Sequence, residues 1–380
     1  MKIYYITYQD FPSNKANAQQ TITTCKYFYR NKVDVTLFFP LRSVTSNDNI
    51  EKLEKFYDLD QIDFKVTGLK HFFKFEGVRI FNRLYFQFTQ FMWAFSSIKH
   101  IFKKYKNPDF VYTRSDWVLF LLSLKNFPVV FECHQLTKSR KIILKYCSRK
   151  TNTRFIFMNK SLLADSGLDI KTNFLIQSNG FDEDFFEQDR SINKIKNKIV
   201  FAGKLSRNNK QRGLKFIIDC FKDERLDKFQ LQIIGDSDLE TLDDLNKNSP
   251  SNVKFEGYLK KRETIKQIMN SEVGLLVNSS DSDHSLYHTD PLKYYEYSAA
   301  DLKIVAPNFP SHKRLNQYSN LSLYEHENRN SFIETIHQVF SSPKTNLSIN
   351  GVMSANLRVV NIIKFLDNSA RLEGLEPPTL

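Results

Sequence analysis

The sequence predicts an α/β protein made of two doubly wound halves. Three observations carry that expectation. Apolar runs of strand length alternate with longer segments of helical character along most of the chain. The runs are near-continuously apolar, as in parallel strands covered on both faces. The same alternation then starts afresh after a polar, charged stretch from Asn179-Gly180 to Asn197, which reads as a linker. With 380 residues the chain is long enough for two to three domains of about 150 residues.

The first half opens on a strand over residues 2–7. A polar loop containing Phe11-Pro12-Ser13 follows, then a helix over 16–30 and a second, almost wholly apolar strand over 33–39. Strand, loop, helix and buried strand make a βαβ unit, the signature of a parallel sheet. Phe110-Val-Tyr and Val129-Val-Phe-Glu read as later strands of that sheet, and Phe155-Ile-Phe-Met and Phe174-Leu-Ile close it.

The second half is the clearer one. Strands are expected over 198–203, 230–236, 253–258, 273–278 and 303–307, with helices over 213–221, 262–270 and 291–300 between them. Five strands alternating with helices describe a doubly wound domain. A last helix is expected over 354–366, with Leu357, Val360, Ile363 and Phe365 on its apolar face, and the segment from Gly374 onward reads as a tail. Two such halves in one chain put a cleft between two sets of strand carboxyl ends, the place where ligands bind in sheets of this kind.

Composition narrows the function. Hydrophobic residues make up 41% and charged residues 26%, which excludes a mainly disordered chain, a collagen and a coiled-coil rod. Lys and Arg number 55 against 42 Asp and Glu, a formal net charge of +13 that favours an anionic partner. No zinc-finger, RNA-recognition or helix-turn-helix pattern appears, so nucleic acid is not the expected one. The stretch 65–106 interleaves Lys and Arg with Phe and Tyr, and such a segment can lie in the interface of an anionic membrane. The competing reading is that those aromatics pack a core. The four cysteines, Cys25, Cys133, Cys147 and Cys220, contain no CxxC pair and read as free thiols of a reducing cytoplasm. Residues 1–7 are too short and polar for a signal peptide, and the apolar run near Trp117 falls short of the ~20 residues of a spanning helix.

Two segments could carry chemistry. In Gly203-Lys204-Leu-Ser-Arg-Asn-Asn-Lys210-Gln-Arg212-Gly213, a glycine at a strand end allows close backbone approach, and basic residues lie on a loop entering a helix. That combination suits a diphosphate. In His288-Thr-Asp290-Pro291-Leu292-Lys293-Tyr-Tyr-Glu296-Tyr, Asp290 reads as an N-cap and Pro291 as the first helical residue, so the backbone there offers a second phosphate cradle. Glu296, under two turns further in, could accept both hydroxyls of a ribose. Two Asp-Ser-Asp runs, 236–238 and 281–283, raise the alternative of a divalent cation but read better as turn chemistry. His284 and His288 lie four apart in a segment that reads as loop, without a third ligand, so no metal site is expected.

Taken in order, these segments resemble the retaining glycosyltransferases of family 4, whose GT-B architecture consists of two Rossmann-like doubly wound domains facing a central cleft. The resemblance is carried from residue 1 to about 366. Phe11-Pro-Ser-Asn-Lys-Ala-Asn-Ala-Gln-Gln resembles the opening loop and helix start, Phe131-Glu-Cys-His134 the segment with an active-site histidine, and Ser178-Asn-Gly-Phe-Asp182 the Asn-Gly-x-Asp linker. Val200-Phe-Ala-Gly-Lys-Leu and Arg212-Gly213 resemble a strand end with its basic–glycine pair. Ile233-Ile-Gly-Asp236 and Val253-Lys-Phe-Glu-Gly-Tyr258 resemble two further strand ends, and Asp290-Pro-Leu-Lys-Tyr-Tyr-Glu296 the family's most specific helix start.

The resemblance implies an acceptor domain over 1–180, a nucleotide-sugar donor domain over 181–350, and a C-terminal helix crossing back over 351–380. It implies that Lys204 and Arg212 hold the donor diphosphate with help from Lys210, Gly203 and the 290–293 helix start. Glu296 would bind the ribose, Tyr258 and Leu259 would receive the base, and His134 would contact the transferred sugar. Ser13, Asn14 and Asn17 would border the acceptor. The co-substrate would be a UDP or GDP sugar, with no cofactor or metal required. The product would be a glycan or lipid-linked precursor of a surface polysaccharide or lipopolysaccharide, made in the cytoplasm or on the inner face of the membrane. One departure stands out: the family often has two glutamates eight positions apart, and His288 occupies the first of those positions. A catalytically degenerate GT-B protein that binds nucleotide or anionic membrane is the alternative.

Overall fold

The structure, a computed structural model, describes residues 1–71, 82–169, 173–186, 192–207, 210–211, 213–236, 239–247, 249–343 and 347–372. The chain divides into two compact units, one formed by Met1–Ser178 with Ala355–Leu380, the other by Asn179–Ser354.

In the first unit, strands and helices alternate. They run β1 (Lys2–Ile6), α1 (Ala16–Arg30), β2 (Asp34–Leu41), α2 (Ile50–Tyr57), β3 (Lys65–Lys70), α3 (Asn82–Lys104) and β4 (Phe110–Thr113). The series continues with α4 (Asp116–Leu124), β5 (Val129–Cys133), α5 (Lys138–Cys147), β6 (Thr153–Phe157), α6 (Lys160–Ser166) and β7 (Phe174–Ile176). All seven strands are parallel, in the order β3-β2-β1-β4-β5-β6-β7. Helix starts follow local chemistry: Asn49, Thr137 and Asn159 each accept a first-turn N–H with the side chain. Strand order reverses between β1 and β4, so the loop after β1 and the end of β4 flank the sheet's crevice.

The second unit contains β8 (Lys198–Ala202), a two-stranded hairpin of β9 (Ser206–Arg207) and β10 (Lys210–Gln211), α7 (Leu214–Cys220), β11 (Gln230–Ile234), α8 (Leu239–Lys247), β12 (Val253–Gly257) and α9 (Lys261–Met269). It continues with β13 (Val273–Leu275), α10 (Leu292–Ala299), β14 (Lys303–Pro307), α11 (Pro310–Lys313), β15 (Leu321–Tyr324) and α12 (Arg329–Ser341). Its six-stranded parallel sheet has the order β12-β11-β8-β13-β14-β15, which reverses between β8 and β13. A final helix, α13 (Ala355–Leu372), belongs to the first unit, where Asn356 Oδ1 accepts from Asn31 Nδ2 at 2.8 Å.

Three expectations need correction. The second unit has six main-sheet strands rather than five; β15 lies at an edge, and so does the unforeseen β3, whose lysines at both ends are the usual guard of an exposed edge. The buried stripe of α13 is Ala355, Val359, Ile362 and Leu366, while Leu357 is exposed. The stripe follows i, i+4, i+7, i+11, one position away from the face read in the sequence. Residues 284–288 form a short π-helical turn rather than a loop.

Among the described residues no helix is long and apolar enough to cross a membrane, and all four cysteines are free and buried. His312, fully buried, is a structural histidine: its Nδ1 faces the Pro307 carbonyl at 2.8 Å and its Nε2 faces Asn278 Nδ2 at 3.1 Å.

Candidate functional site

The crevice end of the second unit begins with glycines. Gly203 follows β8, Gly235 follows β11 and Gly257 ends β12. Gly203 N–H donates to the Ile234 carbonyl at 2.9 Å, and Gly235 N–H to the Gly257 carbonyl at 2.8 Å. A Cβ added at Gly235 would stand 1.8 Å from the Gly203 carbonyl oxygen, so the two strand ends meet closer than any side chain permits. Lys204, next along, is exposed. The backbone of Lys210 lies in β10, opposite Arg207. Arg212 lies outside the described residues. Gly213, at φ +82°, occupies the left-handed position just before α7. Tyr258 is half exposed and Leu259 partly buried, directly after β12.

The helix start at 290–293 differs from its reading in the sequence. Helix α10 begins at Leu292, and Pro291 holds the cap position with extended ψ and no side-chain cap bond. Asp290 is therefore not the N-cap. Its carboxylate accepts from the Asn179 backbone N–H at 2.7 Å and from the Tyr295 hydroxyl at 2.8 Å, while Asn179 Nδ2 donates to the Asp290 carbonyl at 2.6 Å. Asp290 thus ties the Asn-Gly segment to the start of α10, one oxygen toward Asn179 and the other toward Tyr295. His288 is buried within the π-helical turn.

Glu296 lies 3% exposed inside the same helix. One carboxylate oxygen accepts from Lys261 Nζ and the other from Lys293 Nζ, the latter at 2.5 Å. Burial alone would raise its pKa, but the two ammonium groups overturn that and hold it near 2. Burial likewise pulls Lys293 down from its ordinary value, against the pull of Glu296. A carboxylate has about four acceptor positions, so two remain for ligand hydroxyls. Tyr297 braces the helix from below: its hydroxyl accepts from the Ala202 N–H of β8 at 3.0 Å, and its ring packs over Gly274, where a Cβ would come within 2.5 Å of it. The Tyr297 brace fixes the depth of Glu296 relative to the strand that ends in Gly203.

In the first unit, His134 follows β5 at the sheet's carboxyl edge. Its Nε2 is bonded to Oε1 of Glu132, two residues earlier on the same strand face. Glu132 is 1% exposed and accepts from Arg114 Nη2 and Arg358 Nη2, each at 2.7 Å, and from the Tyr112 hydroxyl. Burial opposes its charge, yet Arg114 and Arg358 hold it well below the usual carboxylate range. Burial and Arg114 push His134 down to about 4, so the ring is neutral at physiological pH. Ser13 N–H donates to the Tyr57 hydroxyl at 2.9 Å, and its Oγ accepts from the Lys15 N–H at 3.3 Å, while Asn14 is exposed on the loop after β1 and Asn17 is exposed in the first turn of α1.

Sequence reasoning missed Lys261, Arg114, Glu132 and Arg358. The i, i+2 spacing of Glu132 and His134 was a readable signal. The two arginines come from 18 residues before Glu132 and 226 after it, and nothing local links them to it. Among the described residues no group of three His, Cys, Asp or Glu side chains is placed to hold a metal ion; Ser237 and Asp238 lie outside them.

No protein-family model matches the sequence, and no curated protein matches it either. Solved structures do match in fold. Sucrose-phosphate synthase from Thermosynechococcus elongatus aligns with a TM-score of 0.69 at 13% identity, over 99% of this chain and 98% of that one. A glycosyltransferase from Rickettsia africae ESF-5 aligns with a TM-score of 0.69 at 13% identity, over 97% and 98%. TarM of S. aureus, solved with Fondaparinux, alpha-GlcNAc-glycerol and UDP, aligns with a TM-score of 0.69 at 11% identity, over 97% and 99%. Two parallel sheets flanked by helices, matched over nearly the whole length, identify the GT-B fold.

Proposed function

We propose that this chain is a glycosyltransferase. It moves a hexose-like sugar, with retention, from a nucleoside-diphosphate donor to a glycan or lipid-linked acceptor of surface polysaccharide or lipopolysaccharide synthesis. The observation that carries the reading is Glu296: a buried carboxylate about one turn into α10, framed by Lys261 and Lys293 and braced against the strand that leads to Gly203. The presence of UDP in the TarM structure is in keeping with a nucleotide donor.

In this reading the second unit binds the donor. Breaking the sugar–phosphate bond puts growing negative charge on the leaving diphosphate, and Lys204, Lys210, Arg212 and the 290–293 backbone offset it, without a metal. Tyr258 and Leu259 receive the base. The first unit supplies His134 to the transferred sugar and the Ser13, Asn14 and Asn17 loop to the acceptor. The described side chains offer no evident carboxylate nucleophile for double displacement, so attack takes place on the leaving-group face through an oxocarbenium-like transition state. The test is release of nucleoside diphosphate from UDP- and GDP-hexoses in EDTA. Release from one of them supports the reading; tight nucleotide binding without release favours the degenerate binder.

The acceptor is lipid-linked and is met at the cytoplasmic face of a membrane. Helices α3 and α5 contain no Asp or Glu. They expose Leu84 (73%), Phe88, Phe95 and Ile142 (72%) beside Lys99, Lys103, Lys138, Lys141 and Lys145. Trp93, Ala94, Ile98 and Ile101 on the other face of α3 are core, as the competing reading had it, and the exposed face is what supports the membrane reading; residues 72–81 lie outside the described ones. The protein should co-sediment with vesicles containing anionic lipid at low salt and be released as salt rises. Absence from the pellet at low salt would remove the membrane step.

A further inference from the structure

We infer that Glu132, clamped by Arg114 of the segment after β4 and by Arg358 of α13, is a positioning residue that fixes the tautomer of His134 and turns its Nδ1 lone pair toward a substrate hydroxyl. The inference rests on the proposed transfer reaction for the identity of that hydroxyl, and on geometry alone for the rest.

Glu132 carries one negative charge, and Arg114 and Arg358 carry two positive ones within 2.7 Å of its Oε1. The cluster already has a surplus cation, so a protonated imidazole against the same oxygen would be a third. Tyr112 donates to the other oxygen, Tyr5 faces the group from β1, and Gln20 and Thr24 of α1 face the two arginines. None of these groups supplies another anion at neutral pH. His134 therefore stays neutral. An ionised carboxylate can only accept, so the proton of the neutral ring sits on Nε2 and is donated to Glu132. Nδ1 is then an acceptor by necessity, and the ring is about a quarter exposed. A neutral acceptor suits a sugar hydroxyl, which can donate its proton; an imidazolium has no lone pair left to accept it.

Arg358 makes the arrangement depend on the end of the chain. It is 4% exposed and reaches Glu132 from 226 residues away. Without α13, one of the two arginines on Glu132 is missing. Loss of Arg358 takes the surplus cation and one of the two guanidinium donors from Glu132, so α13 belongs to the site and is more than a wrapper around the fold.

The experiment uses the full chain with nitrogen-15-labelled histidine, the His134 signals being assigned from their absence in His134→Asn. The wild type should show one neutral imidazole protonated at Nε2 throughout about pH 6 to 8. Folded Glu132→Gln should show a mixture of both neutral tautomers and a kcat/KM about 10-fold to 100-fold lower. Arg358→Lys should keep the ring neutral and protonated at Nε2 through that range, whereas Arg358→Met, which takes away the surplus cation, should keep the Nε2 proton but raise the pH below which the ring becomes charged. If Glu132→Gln does not fold, Glu132→Gln combined with Arg358→Met, which removes one charge of each sign, carries the same two readouts. A wild type protonated at Nδ1, or a folded Glu132→Gln protein, single or double, in which either readout stays unchanged, overturns the inference. If the wild type releases no nucleoside diphosphate, the transfer reading fails by itself, and the tautomer signal alone decides the role of Glu132.

Discussion

Glu296→Ala should lower nucleoside-diphosphate release by about 100-fold or more, the scale expected when a charge-assisted contact to the reacting complex is removed from a buried site. Glu296 does two things at once. It offers two acceptor positions to a ribose, and it is the anion that neutralises Lys261 and Lys293. Its removal leaves two ammonium groups facing each other in a buried pocket, a change of the kind that costs about 3–5 kcal/mol. Stability and turnover must therefore be read separately. Glu296→Gln keeps the shape and a carbonyl acceptor but not the charge. It should regain part of the fold stability and little of the turnover. Arg212→Ala should cut turnover by a similar factor with little change in melting temperature. Near-normal rates in both Glu296→Ala and Arg212→Ala would refute the site assignment.

Gly235→Ala should disable the second unit altogether. The new Cβ would lie 1.8 Å from the Gly203 oxygen and 2.9 Å from its carbonyl carbon, both backbone atoms that cannot swing aside as a side chain can. The ends of β8 and β11 would have to separate, breaking the bonds from Gly203 N–H to Ile234 and from Gly235 N–H to Gly257. Overpacking of this kind costs about 3 kcal/mol or more when backbone must move. Chemical denaturation should report that loss, and nucleotide binding should vanish with it. Gly351→Ala is the control: nothing lies within 4 Å of its Cβ position, so its effect should stay within about 0.5 kcal/mol. Equal stabilities for the two variants would mean that the strand ends do not meet as described.

The central strands were legible because burial on both faces forces near-continuous apolar runs. Residues 129–132 fall in β5 and 303–307 form β14, both central and both strands as read, and α1 covers the expected 16–30. The edge strands β3 and β15 were not legible, since an edge needs no such run and lysine serves it well. Helix α3 was hidden by its many aromatic residues, which suit a core, a strand or a surface equally. The candidate site divides in the same way. Glycines at strand ends and the 290–296 helix could be read from local spacing, whereas His134 entered only through the resemblance. The partners of those residues could not. Lys261 reaches Glu296 across 35 residues, and Arg358 reaches Glu132 across 226. Ion pairs of that kind are decided by which loops the sheet brings to one edge. Asp290 shows the reverse error: an apt residue at an apt spacing, taken up instead by Asn179 and Tyr295.

The central claim is that the second unit holds a nucleoside diphosphate. Its most direct test is the melting temperature of the full chain with UDP, GDP, ADP and CMP and their sugar forms, first in EDTA and then with Mg²⁺. A ligand at 100 times its dissociation constant stabilises the native state by about 2.7 kcal/mol, a shift that is easily read. The account predicts that one nucleoside diphosphate raises the melting temperature in EDTA, and that Glu296→Gln reduces the shift. Stabilisation only in Mg²⁺, or by none of these nucleotides, would contradict it.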